Sequence, residues 1–206
     1  MAVSESKREK AAMSRPKRYP YFVLFIAVVA MGLILDRVTK ILASSLLVTG
    51  RPSDFIPGIM DFVLVHNTGA AWGMLSGAFW FFICIALAIS IAVIIYILWY
   101  PRHTWFEVVS LGLIVAGALG NLYDRLAYRE VTDFFHTLFI EFPVFNIADS
   151  CITVGVVCFA VFLVFSPQSP LIHKTPSLAA DEETGNNQKG QDSNHIDRSA
   201  DDEVDH

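Results

Sequence analysis

The sequence has few charged residues and few cysteines, and both shortages limit what this chain of 206 residues can be. Only 17% of its residues are Asp, Glu, Lys or Arg, whereas 54% are hydrophobic. Soluble domains typically carry about 25% charged residues, so this composition argues against an ordinary soluble domain. The three cysteines all fall in apolar runs and give no sign of a disulfide framework. We interpret Cys84, Cys151 and Cys158 as small apolar packing residues.

Histidine is absent from the long apolar runs, which restricts the catalytic chemistry that is available there. Of the histidines between the runs, His66 and His136 lie on the same side as the motifs described below, but they lack the spacing of metal ligands. A serine or cysteine nucleophile needs a neighbouring base, and Ser150 and Cys151 have no histidine in their run. We therefore expect neither a metal nor a cofactor.

Four apolar runs are long enough to cross a membrane, for which about 20 residues suffice. We place the spans at about residues 21–47, 73–99, 105–123 and 147–165. The expected fold class is an all-α polytopic membrane protein, with a membrane domain over residues 19–166. Residues 61–66 alternate as a strand does, and the Phe-rich residues 131–142 favour a strand or a surface-hugging segment. These segments predict a small extracytoplasmic β-rich lobe beside the four transmembrane helices.

Charge is concentrated at the two ends of the chain. Residues 1–18 form a basic leader, and residues 167–206 form an acidic tail that we expect to be disordered. Four spans put both termini on one side, and the positive-inside rule predicts that this side is the cytoplasm. The same rule explains the basic leader, so we expect no nucleic-acid partner. The third span then ends, and the fourth begins, at the extracytoplasmic face.

Two motifs of the form Asn-x-x-Asp lie where the third span ends and the fourth begins. They are Asn121 to Asp124 and Asn146 to Asp149. Ionisable groups at membrane depth are costly and are functional candidates by default. Two neighbouring carboxylates share a proton and titrate as a unit, so one can activate water while the other polarises an amide carbonyl. This pattern indicates an aspartic-protease arrangement.

The residues alone leave three interpretations of the acidic pair open. Asp124 and Asp149 could form a catalytic dyad, could line an ion or solute pathway, or could be structural, with Asp124 paired to Arg125 or Arg129. An aspartate at a helix start is a good cap, which explains Asp149, whereas Asp124 would lie at the unfavourable end of its helix dipole. Transporters usually have internal repeats and charges near the midplane, and the sequence shows neither pattern.

Five separated motifs closely resemble the lipoprotein signal peptidases, or signal peptidase II, of bacteria. They cover about residues 20–166 and read Asp36-x-x-x-Lys40, Asn67-x-Gly69-x-Ala71-Trp72, GALGNLYDR over 117–125, VTDF over 131–134 and FNIAD over 145–149. The resemblance implies a four-helix aspartic endopeptidase of the bacterial cytoplasmic membrane. Its substrates would be prolipoproteins whose cysteine carries a diacylglyceryl group. It would remove the signal peptide by cutting on the amino side of that cysteine.

The resemblance also implies the members of the site. Asp124 and Asp149 would be the catalytic dyad, near the extracytoplasmic face. We further expect a monomer whose partners are lipid-modified prolipoproteins and membrane lipid, and a clamp over the peptide made by the aromatic side chains from Phe134 to Phe142. The residues that would bind substrate or support the dyad are Asn67, Gly69, Gly120, Asn121, Arg125, Asn146, Ala148, Asp36, Lys40 and Asp133.

Overall fold

The computed structural model describes residues 18–69, 74–75, 77–100 and 102–167, which form four long helices and one three-stranded sheet. All four helices are long and apolar enough to span a membrane, so the predicted fold class is confirmed. Most of the basic leader and of the acidic tail lies outside the described residues, as do Ala71 and Trp72. The elements are α1 (Arg18–Leu46), β1 (Ser53–Ile56), β2 (Met60–Asn67), α2 (Phe79–Trp99), α3 (Trp105–Tyr128), β3 (Val131–Thr137) and α4 (Ile147–Phe165).

Helix α3 is the central helix and packs against α1, α2 and α4. Most of α3 is buried, whereas the other three helices leave most of their apolar side chains on the outer surface, as helices facing lipid do. Small residues allow the close contacts of α3. A Cβ atom on Gly117 would overlap the backbone oxygen of Ala148 in α4, and one on Gly112 would lie 2.8 Å from Val28 in α1.

Local capping defines both ends of α3. At its start, the Thr104 hydroxyl accepts from the amide of Glu107, and the Glu107 carboxylate accepts from the amide of Thr104, each at 3.1 Å. At its end, Arg129 has a φ of 67° and its amide donates to the Arg125 carbonyl at 3.0 Å. The helix therefore continues past the predicted end of the span at residue 123. Asp124 lies within α3 rather than at its end.

Helix α2 begins later than the sequence indicates. The predicted span starts at residue 73, whereas α2 starts at Phe79. Leu75 and Gly77 have φ angles of 56° and 84°, and a right-handed helix cannot contain these left-handed conformations. The chain therefore turns before it enters the span.

The three strands pair antiparallel in the order β1-β2-β3. The predicted strand over residues 61–66 is confirmed within β2, and β3 occupies the first part of the Phe-rich segment. Leu64 and Phe134 of the sheet form a small core with Ala43 of α1. Because β3 follows α3 directly and Phe145 pairs with Phe135 just before α4, the sheet lies at the end of the bundle where α3 ends and α4 begins. We call this the sheet end.

Candidate active site

Asp149 is fixed by the turn that starts α4. The Asn146 side chain accepts from the Asp149 amide at 3.0 Å, and the Asp149 carboxylate accepts from the Asn146 amide at 3.2 Å. This reciprocal capping box satisfies two amides that the helix leaves without partners. The other carboxylate oxygen of Asp149 accepts from the Asn121 side chain at 2.7 Å. Both carboxylate oxygens of Asp149 therefore accept hydrogen bonds, one from Asn146 and the other from Asn121.

Asp133 on β3 is held by two asparagine side chains. Its Oδ1 accepts from Asn146 Nδ2 at 2.6 Å, and its Oδ2 accepts from Asn67 Nδ2 at 3.0 Å. Asp133 is 2% exposed. Burial, reinforced by the charge of Asp149, raises the pKa of Asp133 to about 7. Asn146 is therefore bonded to both acidic residues, one on β3 and one on α4.

Asp133 and Asp149 line the same cavity, which has a volume of about 480 Å³. A volume of this size is typical of ligand pockets. Ser150 and Thr153 continue the wall down the first turns of α4. The other lining residues comprise a polar group, Asn67, Gly69, Asn121 and Arg125, and an apolar group, Val131, Phe142, Pro143, Val144, Phe145 and Val154.

Asp124 has different surroundings. Its side chain is 1% exposed, and it pairs with Arg37 at 2.6 Å and with Lys40 at 2.9 Å. Its Oδ2 also accepts from the backbone amide of Thr132 at 3.4 Å. Among the described residues, Asp124 is not part of the cavity wall. The structure therefore places Asp149 and Asp133 together at the cavity. Asp124 lies behind the cavity wall, where it contacts Arg37, Lys40 and Thr132.

Asp36 and Lys40 lie at the centre of this support. Lys40 Nζ is 2.9 Å from Asp36 Oδ2 and donates to Asn121 Oδ1 at 2.9 Å. Asp36 Oδ1 accepts from the amide of Ala148 at 3.0 Å. A Cβ atom on Gly120 would lie 2.7 Å from Asp36 Oδ2, so glycine leaves the space that the carboxylate occupies. The pair thus connects α1 to α3 and to the start of α4.

Arg125 holds the chain that follows β2. Its Nη2 donates to the Gly69 carbonyl at 3.0 Å, and the Gly69 amide donates to the Asn67 side chain at 2.9 Å. Its guanidinium also lies 4.5 Å from the ring centre of Phe82 on α2. A cation over an aromatic ring is a favourable contact. Arg125 therefore positions Asn67, which in turn holds Asp133.

Three supporting contacts were not predicted from the sequence. Arg37 pairs with Asp124, whereas the structural interpretation paired Asp124 with Arg125 or Arg129. Tyr128 accepts from Arg37 at 3.1 Å, and Thr132 contributes its backbone, whose amide donates to Asp124 and whose carbonyl accepts from Asn146. A contact made by a backbone group cannot be recognised in the sequence. Arg37 follows Asp36 in the chain, and its contact with Asp124 depends on the packing of α1 against α3. In the described parts of the chain, no three His, Cys, Asp or Glu side chains are grouped as metal ligands would be.

Four membrane-spanning helices beside a cavity with two acidic side chains, one on β3 and one on α4, are typical of a membrane-embedded enzyme that uses acid–base chemistry. The comparisons with known proteins narrow this class. The model of the family described as signal peptidase (SPase) II matches residues 28–165. The chain therefore belongs to the signal peptidase II family and is a membrane peptidase of that family. The resemblance carried by the five motifs is confirmed.

Similar proteins support this membership over nearly their whole length. The lipoprotein signal peptidase of Lactiplantibacillus plantarum is 42% identical over 137 residues, which are 66% of this chain and 89% of that protein. The lipoprotein signal peptidase of Clostridium acetobutylicum is 39% identical over 142 residues, which are 68% and 92%. A bacterial membrane enzyme solved by the in meso method at 2.3 Å superposes with a TM-score of 0.66 at 36% identity, covering 71% of this chain and 92% of that one.

Proposed function

We propose that this protein removes signal peptides from prolipoproteins whose cysteine carries a diacylglyceryl group, and that it cuts on the amino side of that cysteine. Family membership supports the reaction, and two relatives are named lipoprotein signal peptidases. The observation that carries the proposal is the pair Asp133 and Asp149, which lines one cavity and is bonded to one residue, since the Asn146 side chain donates to Asp133 and the Asn146 backbone amide donates to Asp149.

We assign the catalytic dyad to Asp133 and Asp149, in place of the predicted pair Asp124 and Asp149. A catalytic carboxylate has to reach the scissile amide and the attacking water. Asp133 and Asp149 line the cavity, whereas Asp124 Oδ1 is taken by Arg37, and Asp124 Oδ2 is taken by the buried Lys40 and a backbone amide. The remaining predicted members, among them Gly69, Asn121 and Ala148, then act as supports of the dyad or as substrate contacts.

In the proposed reaction the dyad shares one proton, which Asp133 holds at rest. The raised pKa of Asp133 favours this assignment, and Asp149 lies at the start of α4, where the helix dipole favours a negative charge. Asp149 takes a proton from the attacking water while Asp133 donates its proton to the carbonyl oxygen. The tetrahedral intermediate then collapses. Asp149 gives its proton to the nitrogen of the lipidated cysteine, and Asp133 recovers a proton from the carbonyl oxygen.

We propose that the sheet end faces the extracytoplasmic side and that both termini are cytoplasmic. The basic leader precedes α1, and Arg102 lies at the opposite end of α3 from the cavity, in agreement with the positive-inside rule. A substrate anchored by a lipid presents its cleavage site near that surface. Val154 and the other apolar residues of the wall then face the lipidated part of the substrate. Because one chain supplies both acids and their asparagines, a monomer is sufficient.

The test is cleavage of a diacylglyceryl-modified precursor by the purified full-length protein. We expect Asp133→Asn and Asp149→Asn each to lower kcat at least about a hundredfold, the usual scale of acid–base catalysis. We expect Asp124→Asn to retain measurable turnover because its role is indirect. Thermal unfolding of each variant controls for folding. An inactive, folded D124N together with an active D133N would overturn the assignment, and normal cleavage by D149N would overturn the proposed reaction.

A further inference from the structure

Arg37 on α1 has a place in the structure that none of the five motifs accounts for. Its guanidinium bonds Asp124 at 2.6 Å and Tyr128 at 3.1 Å. Its central carbon lies 4.7 Å from the ring centre of Tyr123 and 5.3 Å from that of Tyr128. Two hydrogen bonds and two aromatic faces therefore fix Arg37 on the last turns of α3.

Arg37 completes the charge balance of a buried cluster. Lys40, Asp36 and Asp124 have side chains that are only 1–3% exposed, and the Lys40 ammonium lies 2.9 Å from each carboxylate. These three groups alone carry an excess negative charge. Arg37, whose side chain is 32% exposed, supplies the second positive charge from the edge of the cluster. Without it, an unpaired negative charge would remain buried close to the proposed dyad, at a considerable cost.

Two chains of contacts lead from Asp124 to the two acids of the cavity. In one, Asp124 bonds Lys40, Lys40 bonds Asn121 at 2.9 Å, and Asn121 bonds Asp149 at 2.7 Å. In the other, Asp124 accepts from the amide of Thr132 at 3.4 Å, and the next residue is Asp133. The position of one buried carboxylate thus affects both members of the dyad.

We infer that Arg37 is a positioning residue for the peptidase reaction, which it supports by neutralising and orienting Asp124. This inference rests on the proposed function, because it requires Asp124 to support Asp133 and Asp149 rather than to act on substrate itself. Arg37 lies behind the cavity wall, so its loss should disturb the alignment of the dyad without removing a contact to the precursor.

The first test compares Arg37→Gln, Arg37→Lys and Arg51→Gln in the full-length protein acting on the diacylglyceryl-modified precursor. We expect R37Q to lower kcat by about 10- to 100-fold at an unchanged KM, the scale of a misplaced catalytic group. R37K should recover part of this loss because it keeps the charge without the planar fork. Arg51 lies in the exposed loop before β1, so R51Q should behave like the unchanged protein. An unchanged kcat for R37Q, or a change in KM alone, would overturn the inference.

If R37Q fails to fold, the variants Arg37→Lys and Tyr128→Phe test the inference about Arg37 instead. Tyr128→Phe removes only the hydroxyl that accepts from Arg37. Both variants should then lower kcat at unchanged KM, although less than the loss of the whole guanidinium. Wild-type kcat in both variants would overturn the inference.

The second test is a double-mutant cycle with Asp124→Asn. If Arg37 acts through the charge of Asp124, the R37Q/D124N variant should have a higher kcat than the product of the two single effects predicts, because the double change restores neutrality. If the effects of R37Q and D124N on kcat multiply strictly and D124N is active, the inference about Arg37 is overturned while the proposed dyad stands. A folded D124N without any turnover would overturn the inference, and together with an active D133N it would also overturn the proposed dyad, so the two failures are distinguishable.

Discussion

Asp133 and Asp149 lie on different elements, yet both are bonded to one asparagine. The side chain of Asn146 donates to Asp133 at 2.6 Å, and its backbone amide donates to Asp149 at 3.2 Å. The same residue caps α4, and it is completely buried. One residue at the start of a membrane helix therefore links the two acids directly to each other.

Asn146→Ala should show whether Asn146 contributes to catalysis as well as to stability. Loss of the cap should lower the free energy of unfolding by about 1 kcal/mol. Loss of the bridge should also lower kcat by about 10- to 100-fold because the acids lose their alignment. Kinetics with the lipidated precursor and chemical unfolding measure the two effects.

Thr104→Ala is the matched control, because Thr104 forms the same kind of capping box at the start of α3. It should cost similar stability and leave kcat unchanged. If both variants lost stability equally and N146A kept wild-type kcat, the bridge would have no catalytic importance.

The pH dependence of cleavage should report the proton on Asp133. The pKa of this residue is raised to about 7, so the group is protonated below that pH and becomes ionised as the pH rises through it. If Asp133 must donate a proton, kcat/KM should fall above about pH 7. The hydrogen bond from Asn67 favours the ionised carboxylate and therefore lowers this pKa.

Asn67→Leu should therefore move the alkaline limb of the pH–rate profile to higher pH. Asp54→Asn, on the exposed strand β1, is the control and should leave the limb where it is. A limb that moves to lower pH in N67L would show that the titrating group is not Asp133.

Gly120→Ala should reduce both stability and activity. The added Cβ would lie 2.7 Å from Asp36 Oδ2, so either α1 or the carboxylate has to move. Overpacking of this kind typically costs about 1–3 kcal/mol. Movement of Asp36 would also release the amide of Ala148, which lies next to Asp149.

Gly112→Ala provides the comparison for this substitution. Its Cβ would lie 2.8 Å from Val28, in the contact between α1 and α3 but away from the cavity. We expect a similar loss of unfolding free energy with wild-type kcat for the folded protein. Equal losses of kcat in both variants would mean that Gly120 has no particular relation to the site.

The apolar wall of the cavity should contribute to substrate binding. Phe142 lines the cavity, whereas Phe139 is 64% exposed and is not among the cavity-lining residues of the described chain. Phe142→Ser should raise KM by about tenfold, since 1.4 kcal/mol of lost apolar contact corresponds to that factor. Phe139→Ser is then the control with an unchanged KM. The reverse result would assign substrate contact to Phe139 rather than to Phe142, which are both members of the predicted clamp.

The helices were predictable because each apolar run is close to the length that a bilayer requires. The start of α2 was not, because the left-handed turn at Leu75 and Gly77 follows small residues that do not differ in polarity from the span. The sequence also indicated that Asp149 lies at the start of a helix, but it favoured Asp149 itself as the cap, whereas the cap is Asn146 and Asp149 is the third residue of the helix.

The roles of Asp124 and Asp133 could not be separated from the sequence alone. Asp124 repeats the Asn-x-x-Asp pattern of Asp149, which favoured it as the second acid. Its carboxylate pairs with Arg37, which lies 87 residues away in the chain and contacts it only because α1 packs on α3. Asp133 faces the cavity because of the register of β3 on β2, in which Asn67 pairs with Val131. Contacts between side chains so far apart in the chain are determined by tertiary packing, and no local sequence pattern predicts them.

The capping box at Asn146 couples the folding of this enzyme to its chemistry. The bonds that begin helix α4 are the same bonds that orient Asp149, so a chain whose last span has not formed would lack the oriented base that we propose. A partly assembled protein would therefore be inert rather than weakly and indiscriminately proteolytic. In the proposed enzyme, this linkage would therefore prevent cleavage until the membrane domain has assembled.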